Sequence, residues 1–148
     1  MTMHFIDANA IDLLIDGKVD FLLNQVNCMG VYNAGIAKEI GERLPNSRQQ
    51  YLSKTHKGKC HLGEFLITTD GVIHLYGQYG YGYDKTYTNH EALYLAFIAL
   101  NKTLKENSRI AIPDMIGCGI AGGDRDRVIG FIERAFNAHE VFICNKQG

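Results

Sequence analysis

The chain has 148 residues, a length that fits one domain able to bury most of its apolar surface. Fifteen Lys and Arg against sixteen Asp and Glu give a formal net charge of -1, which does not favour an electrostatic grip on nucleic acid or a membrane surface. No apolar run is long enough to span a bilayer, and the N-terminus MTMHFIDANAIDLLIDG is too acidic for a signal peptide. We therefore expect a soluble, cytoplasmic, monomeric protein with a single domain over residues 1–148 and no membrane partner.

Four cysteines are scattered along the chain without C-x-x-C spacing: Cys28, Cys60, Cys118 and Cys144. This pattern is typical neither of a disulfide framework nor of a structural zinc site. We expect four free thiols in a reducing compartment. His56 and His61 lie near Cys60, but the spacing matches no usual metal site, so we expect no metal and no cofactor.

The first half of the chain predicts strands followed by helices. HFI and FLLNQVN are short apolar segments typical of strands, the second one covered on both faces. In AGIAKEIGERL the apolar residues Ile36, Ile40 and Leu44 recur at helical spacing, and Pro45 ends that helix. NSRQQYL predicts a second short helix, and GEFLITTDGVIHLY predicts two strands about a turn at residues 69–71.

The second half begins with a loop and returns to alternating elements. GQYGYGYDKTYT is too rich in glycine for a helix or strand, and loops of about a dozen residues are usually functional or disordered. Asn89 is placed to cap the helix HEALYLAFIALNKTLKEN, and Asp124 to cap the last helix, between the strands RIAIPDMI and EVFICN. The alternation predicts an α/β fold with a mixed, largely parallel sheet between helical layers.

Two glycine-containing segments lie between a strand and a helix. They are NQVNCMGVYNAGIAKEI and IAIPDMIGCGIAGGDRDRV. In a parallel sheet such loops lie beyond the carboxyl ends of the strands, where glycine lets backbone N–H groups face an anion beside a helix N-terminus. Either loop alone fits a tight turn equally well. Together they favour a ligand with two or more phosphates, or a diphosphate between two sugars.

The second segment also contains the formal pattern G-x-G-x-x-G at Gly117, Gly119 and Gly122. A nicotinamide-dinucleotide fingerprint follows the first strand of a βαβ unit. It is accompanied by an acidic residue about 20 residues later, at the end of the next strand. Here the pattern precedes the last strand, which ends in Asn145 and Lys146. A dinucleotide-dependent dehydrogenase is therefore excluded.

The segments LLNQVNCMGVYNAGIAKEIGERLP and IAIPDMIGCGIAGGDRDRV, in this order, closely resemble the macrodomains. The resemblance is to the branch of ADP-ribose-1″-phosphate phosphatases and of terminal ADP-ribose glycohydrolases that act on protein or DNA, and it covers nearly the whole chain. It implies a three-layer α/β/α fold with a cleft for ADP-ribose or a derivative. ADP-ribosylated protein or nucleic acid is the further partner that it implies.

The resemblance also implies which residues contact ADP-ribose. The first loop would face the distal ribose and diphosphate, and the second would bind the diphosphate through backbone N–H groups. The implied residues are Asn27, Gly30, Asn33, Gly35 and Ile36 in the first loop, and Gly117, Cys118, Gly119, Ile120, Ala121, Gly122 and Gly123 in the second.

Two further ligand contacts follow from the same resemblance. Family members often place an acid near the end of the first strand to accept the adenine amino group, and this chain has Asn9 there. An amide oxygen accepts that hydrogen bond without charge assistance. Tyr79 and Tyr81, in the tyrosine-rich loop, are expected to fold over the distal ribose or stack on a base, unless the rings pack on the neighbouring helix.

In the glycohydrolase branch a Lys after the central strand forms a covalent adduct with the sugar, and an Asp in the second loop assists it. This chain has Gln78 and Ala121 at those positions, so the covalent mechanism is not supported. Hydrolysis by a bound water remains. The residues placed to position that water or take its proton are Asn24, Asn27, Asn33, Gln78, Asp124 and His90.

Several of these residues have a structural explanation that stays open beside the catalytic one. Asp124 fits a helix N-cap, and Cys28 and Cys118 fit small buried residues better than nucleophiles. We therefore expect an ADP-ribose-1″-phosphate phosphatase or ADP-ribosyl hydrolase that uses water. The alternative is a non-catalytic ADP-ribose reader or a protein that sequesters an NAD-derived nucleotide.

Overall fold

The computed structural model describes residues 2–55 and 60–146. Within them, no helix has both the length and the apolar character needed to cross a membrane. The elements are β1 (Thr2–Asn9), α1 (Ala10–Ile15), β2 (Phe21–Val26), α2 (Gly35–Arg43), α3 (Pro45–Lys54), β3 (Phe65–Ile67), β4 (Val72–Tyr76), α4 (His90–Thr103), β5 (Arg109–Pro113), α5 (Arg125–Ala135) and β6 (Glu140–Lys146).

The strands form one sheet in the order β1-β6-β5-β2-β4-β3. The short edge strand β3 is antiparallel to β4, and the other neighbouring pairs are parallel. The mixed, largely parallel sheet predicted from the sequence is therefore confirmed. Because β5, β2 and β4 are parallel neighbours, the loops that follow them meet at one edge of the sheet.

Alternate residues of the central strands point to opposite helical layers, as the pleat of a strand requires. Leu22 packs in a core with α1, α2 and α3, whereas Leu23 packs in a core with α4 and α5. In the second core the rings of Phe97 and Phe136 lie 5.3 Å apart between centroids. Two cores on the two faces of one sheet confirm the three-layer α/β/α fold.

Helix boundaries follow the predicted caps and breaks. The side chain of Asn89 accepts the Ala92 N–H at the start of α4, and Asp124 accepts the Arg127 N–H at the start of α5. Pro45 separates α2 from α3 by beginning the second helix, where its missing N–H costs nothing.

Two of the differences from the sequence prediction concern helices: α1 was not predicted, and α4 is shorter than predicted. The six-residue α1 is too short to show a helical pattern, and only its cap, Asn9, marks it in retrospect. The predicted helix through residue 107 ends instead at Thr103. Leu104 leaves it with extended backbone to pack in the core, and Asn107 then takes a positive φ of 63°.

Cys28 and Cys60 form a disulfide whose Cα atoms are 5.3 Å apart, within the range such a bond allows. Cys118 and Cys144 are free and buried. The expectation of four free thiols is therefore wrong for the first pair, and the reducing compartment inferred from it loses its basis. The two cysteines lie 32 residues apart in the sequence. They meet because the fold brings the end of β2 beside the segment before β3, and a local spacing pattern does not predict such a contact.

A buried polar network connects β2, β4 and α3 to Tyr32 in the first loop. His74 on β4 is fully buried; its Nε2–H donates to the Ser47 carbonyl at 3.2 Å, and its Nδ1 accepts from Asn24 Nδ2 at 3.4 Å. The same Asn24 amide donates to the Tyr32 hydroxyl at 3.5 Å. Burial lowers the pKa of His74 to about 4, so this imidazole is neutral at physiological pH.

The buried imidazole makes stability depend on pH. Because folding lowers the pKa of His74 from 6.5 to about 4, the unfolded chain binds more protons than the folded chain between these values. The contribution of His74 to the free energy of unfolding is fully present above pH 6.5. We expect it to decrease by about 3 kcal/mol as the pH falls to about 4.

Urea unfolding of the wild type and of His74→Gln across this pH range checks the expectation. The variant should show a flatter pH dependence, whereas His61→Gln, at an exposed position, should keep the wild-type dependence. Equal pH slopes for the wild type and His74→Gln would contradict the account.

Candidate functional site

The first loop, residues 27–34, is shaped by the side chain of Asn27. Its Oδ1 accepts the N–H groups of Met29 at 2.9 Å and Val31 at 3.2 Å, and its Nδ2 donates to the Val31 carbonyl at 2.8 Å. The Tyr51 hydroxyl donates to both the carbonyl and Oδ1 of Asn27. Most of the hydrogen-bonding capacity of this amide is therefore used within the loop.

The first loop leads into α2, whose N-terminus has no side-chain cap. Ala34 occupies the N-cap position, and no acidic residue lies in the first turn. The free N–H groups of that turn and the helix dipole give partial positive charge at this end. By contrast, Asn89 and Asp124 cap α4 and α5. The start of α2 is thus open to an anion.

The second loop, residues 117–123, is a compact turn that leaves backbone donors unused. The Gly122 N–H donates to the Gly119 carbonyl, and the chain reverses at Gly117 and Gly122 with φ of 70° and 77°, values that favour glycine. Within residues 2–55 and 60–146, the N–H groups of Gly119, Ile120 and Ala121 have no acceptor. Three consecutive free donors form a surface suited to phosphate oxygens.

A third loop, residues 77–89, is bonded to both of the others. The Cys28 N–H donates to the Tyr79 carbonyl at 2.9 Å, which joins it to the first loop. The Tyr87 N–H donates to the Ala121 carbonyl at 2.8 Å, which joins it to the second. The tyrosine-rich loop therefore bridges the two glycine-rich loops.

The middle of this third loop projects tyrosine rings at the rim. Tyr81 is 52% exposed and Tyr83 is 82% exposed, and both line a cavity with Asn33. Tyr87 is held instead by its hydroxyl, which donates to Asp84 at 2.6 Å. Tyr79 is not among the cavity-lining residues, so its predicted ligand contact stays a prediction.

The three loops enclose two adjoining cavities of about 230 and 250 Å³. The first extends toward Pro113 and Gly117, the second toward Asn27 and Tyr83. Among the described residues, neither cavity is lined by Lys, Arg, His, Asp or Glu. The residues that line both cavities are Gln25, Ala34, Ala37, Gln78, Ile120 and Ala121.

Gln25, from β2, lies where the cavities meet. Its Nε2 donates to Gln78 Oε1 at 2.9 Å and to Thr88 Oγ1 at 2.8 Å. The Thr88 hydroxyl donates onward to the Gly117 carbonyl. Sequence reasoning missed Gln25 and Thr88; the one available signal was a polar pair, Asn24 and Gln25, inside an otherwise apolar strand.

Many of the residues predicted for the site do come together in these cavities. Those that line them are Asn24, Asn27, Asn33, Gly35, Ile36, Gln78, Tyr81, Gly117, Gly119, Ile120 and Ala121. Predicted residues that lie outside the lining are Asn9, Gly30, Cys118, Gly122, Gly123, Tyr79, His90 and Asp124. The contacts of either set with a ligand stay predictions.

Asp124 and His90, the two candidates for accepting a proton, are hydrogen-bonded to each other. The Asp124 N–H donates to His90 Nε2 at 3.0 Å, and the Asp124 carboxylate caps α5. Burial lowers the pKa of His90. This arrangement links the starts of α4 and α5 outside the cavities, in agreement with the capping explanation for Asp124.

Two other predicted residues also have internal partners. The Asn9 Oδ1 accepts the Asp12 N–H at 3.0 Å as the cap of α1, and its Nδ2 donates to Glu39 at 3.4 Å. Burial, with the nearby charge of Asp124, raises the pKa of the Cys118 thiol to about 11. A protonated, buried thiol is a poor nucleophile.

Of the metal cluster considered from sequence, His56 lies outside the described residues. In the ranges that the structure does describe, no group of three His, Cys, Asp or Glu side chains is arranged to hold a metal ion.

A larger cavity, of about 500 Å³, lies at the opposite end of the sheet beside Arg109 and His139. The Arg109 guanidinium already pairs with Asp20 at 3.2 Å, and Glu106 and Glu140 add negative charge to the lining. That lining disfavours an anionic ligand, so the cleft between the loops is the stronger candidate site.

Comparison with known proteins identifies the family and the fold. A sequence model of the Macro domain matches residues 23–132. The macrodomain of Mycobacterium tuberculosis DarG has a TM-score of 0.79 and 20% identity, with 98% of each chain covered. The macrodomain of Thermus aquaticus DarG has a TM-score of 0.77 and 19% identity, covering 98% of this chain and 99% of its own.

A third solved structure is of Thermosipho africanus DarTG in complex with ADP-ribose, with a TM-score of 0.76 and 13% identity over 97% of this chain and 42% of that one. No curated protein matches the sequence. The sheet order, the two glycine-rich loops at its carboxyl edge and the match over residues 23–132 together show that this chain belongs to the macrodomain family.

Proposed function

We propose that this chain binds ADP-ribose, or a derivative of it, in the cleft between the three loops. The observation that carries the proposal is a pair of free backbone donor sets lining the same cavity. One is the uncapped first turn of α2 at Gly35 and Ile36, and the other is the loop from Gly119 to Ala121. Facing N–H groups of this kind bind phosphate oxygens without a cationic side chain.

The shape of the cleft supports the same ligand class. Two adjoining cavities that share Gln25 and Gln78 suit a molecule with a sugar on each side of a diphosphate. The structurally similar Thermosipho africanus protein is described in complex with ADP-ribose. Because the described residues of the lining carry no charged side chain, we propose that backbone N–H groups, amides and apolar contacts recognise the ligand.

Binding without turnover is the activity that the lining favours. General acid-base catalysis needs a titratable group within hydrogen-bond reach of the reacting atoms, and within the described ranges the cavities offer only tyrosines in that role. We therefore propose a reader or sequestering protein for ADP-ribose or another NAD-derived nucleotide.

Hydrolysis by a bound water is the second candidate, either as an ADP-ribose-1″-phosphate phosphatase or as an ADP-ribosyl hydrolase. Gln78 favours it, because its amide lines both cavities and is oriented by two hydrogen bonds, one from Gln25 and one to the Gly80 carbonyl at 2.8 Å. One N–H and one lone pair of Gln78 are left to orient a water. Asn33, which is exposed and lines the second cavity, is proposed to assist.

We also propose that the protein acts as a cytoplasmic monomer whose partners are the free nucleotide or ADP-ribosylated protein or nucleic acid. The proposed cytoplasmic location is based on the ligand alone, because NAD-derived nucleotides arise inside cells. Free thiols no longer support it, since Cys28 and Cys60 form a disulfide.

A carboxylate at residue 119 tests the diphosphate site. Gly119 has no atom within 4 Å of an added Cβ and no positive φ, so a side chain fits without strain. Gly119→Glu places negative charge among the free N–H groups and should weaken ADP-ribose binding by more than about tenfold. Calorimetric titration measures the affinity, and a thermal melt confirms that the variant folds.

Gly119→Gln is the matched control, since it adds the same bulk without the charge and should bind more tightly than Gly119→Glu. Equal affinities for wild type and Gly119→Glu would place the diphosphate elsewhere.

Turnover assays separate the two candidates. Incubation with ADP-ribose-1″-phosphate and with ADP-ribosylated protein and DNA should leave every substrate intact at high protein concentration, while calorimetry detects ADP-ribose binding. Turnover that Gln78→Ala abolishes without loss of ADP-ribose affinity would instead establish the hydrolase. Absence of any calorimetric signal with ADP-ribose would contradict both.

A further inference from the structure

We propose that Gln25 is a positioning residue that fixes the spacing of the second and third loops, and thereby the width of the cleft that these loops border. The inference rests on the proposed binding of ADP-ribose and adds the side chain that holds its site open. Gln25 projects from β2, the strand between β4 and β5, and therefore lies beneath the junction of all three loops.

The amide of Gln25, on β2, is bonded directly to the third loop, which follows β4, and through that loop to the second loop, which follows β5. Both of its N–H groups are used: one reaches Gln78 Oε1 at 2.9 Å and the other Thr88 Oγ1 at 2.8 Å. Gln78 and Thr88 pair as an isolated antiparallel bridge at the base of the third loop. Since the Thr88 hydroxyl donates to the Gly117 carbonyl, the relay continues into the second loop.

Two glycines are shaped around this amide. A Cβ on Gly77 would lie 2.4 Å from Gln25 Oε1, and a Cβ on Gly117 would lie 2.7 Å from it. Both separations are too short for any other residue without movement of the Gln25 side chain. The amide is thus packed between the start of the third loop and the start of the second, so it sets the distance between them.

The unpaired oxygen of the same amide indicates that glutamine has a functional advantage at this position. Gln25 Oε1 is buried and has no hydrogen-bond partner among the described residues, an arrangement that costs stability. An apolar side chain of similar length would avoid that cost. The two N–H groups are what such a side chain lacks; one donates to Gln78, which lines both cavities, and the other to Thr88, which is bonded to the second loop.

Gln25→Met tests the proposal, because methionine has a similar length and no donor. The amides of Tyr87 and Thr88, which both donate to the Ala121 carbonyl, should exchange their hydrogen faster in this variant without any ligand. Affinity for ADP-ribose should weaken by about tenfold, because binding must then also order the loops that Gln25 holds in the wild type.

Gln50→Met is the matched control. Gln50 also makes two hydrogen bonds, both to Thr69 between α3 and the β3–β4 turn, far along the chain from the cleft loops. This variant should keep wild-type affinity and wild-type exchange at Tyr87 and Thr88.

Thr88→Val breaks the relay at its other end and keeps the test decisive if Gln25→Met does not fold. Its effects on exchange and affinity should resemble those of Gln25→Met, and the double variant should be no worse than the more severe single one. Additive effects, or wild-type exchange in both variants, would overturn the proposal. Should the wild type fail to bind ADP-ribose, the proposed function fails, and the exchange measurements still decide the role of Gln25.

Discussion

Three parallel strands that lie side by side and end at one edge of the sheet determine where this molecule can bind a ligand. β5, β2 and β4 are neighbours. The loops that follow them therefore lie next to one another. The strand between them, β2, contributes Gln25, which is bonded to the third loop and through Thr88 to the second. The cleft is therefore a consequence of strand order, and the loop sequences decide what the cleft holds.

The loops supply partial rather than full charges. An uncapped helix N-terminus at Gly35 and free N–H groups from Gly119 to Ala121 line one cavity, and the described lining carries no Lys or Arg. Backbone donors are fixed in direction and cost no side-chain entropy on binding. A site of this kind selects a ligand by the geometry of its phosphates. Carboxylates and imidazoles are also absent from the described lining, and on this we base the proposal of a binding protein.

Local patterns in the sequence predicted most of the fold, because each depends on neighbouring residues. Pro45, Asn89 and Asp124 mark helix boundaries through local backbone chemistry, and the predicted boundaries were confirmed at all three. The six-residue α1 was missed because it is shorter than two helical turns. The loops were identified from glycine placement, which local backbone conformation favours at Gly117 and Gly122, where φ is positive.

Contacts between distant residues could not be predicted in the same way. The disulfide joins Cys28 to Cys60 across 32 residues, and the hydrogen bond from Gln25 to Thr88 spans 63 positions. Neither has a spacing rule, because each depends on strand order. Asp124 shows the converse: its capping role was readable from sequence, whereas its bond with His90 required the packing of α4 against α5.

The central claim is that backbone N–H groups at the carboxyl edge of the sheet hold the ligand's diphosphate. Amide chemical shifts followed by NMR during titration with ADP-ribose test it most directly. We expect the largest chemical-shift changes at the amides of Gly119, Ile120 and Ala121 and of the first turn of α2. Changes confined to the opposite end of the sheet, around Arg109 and His139, would contradict it.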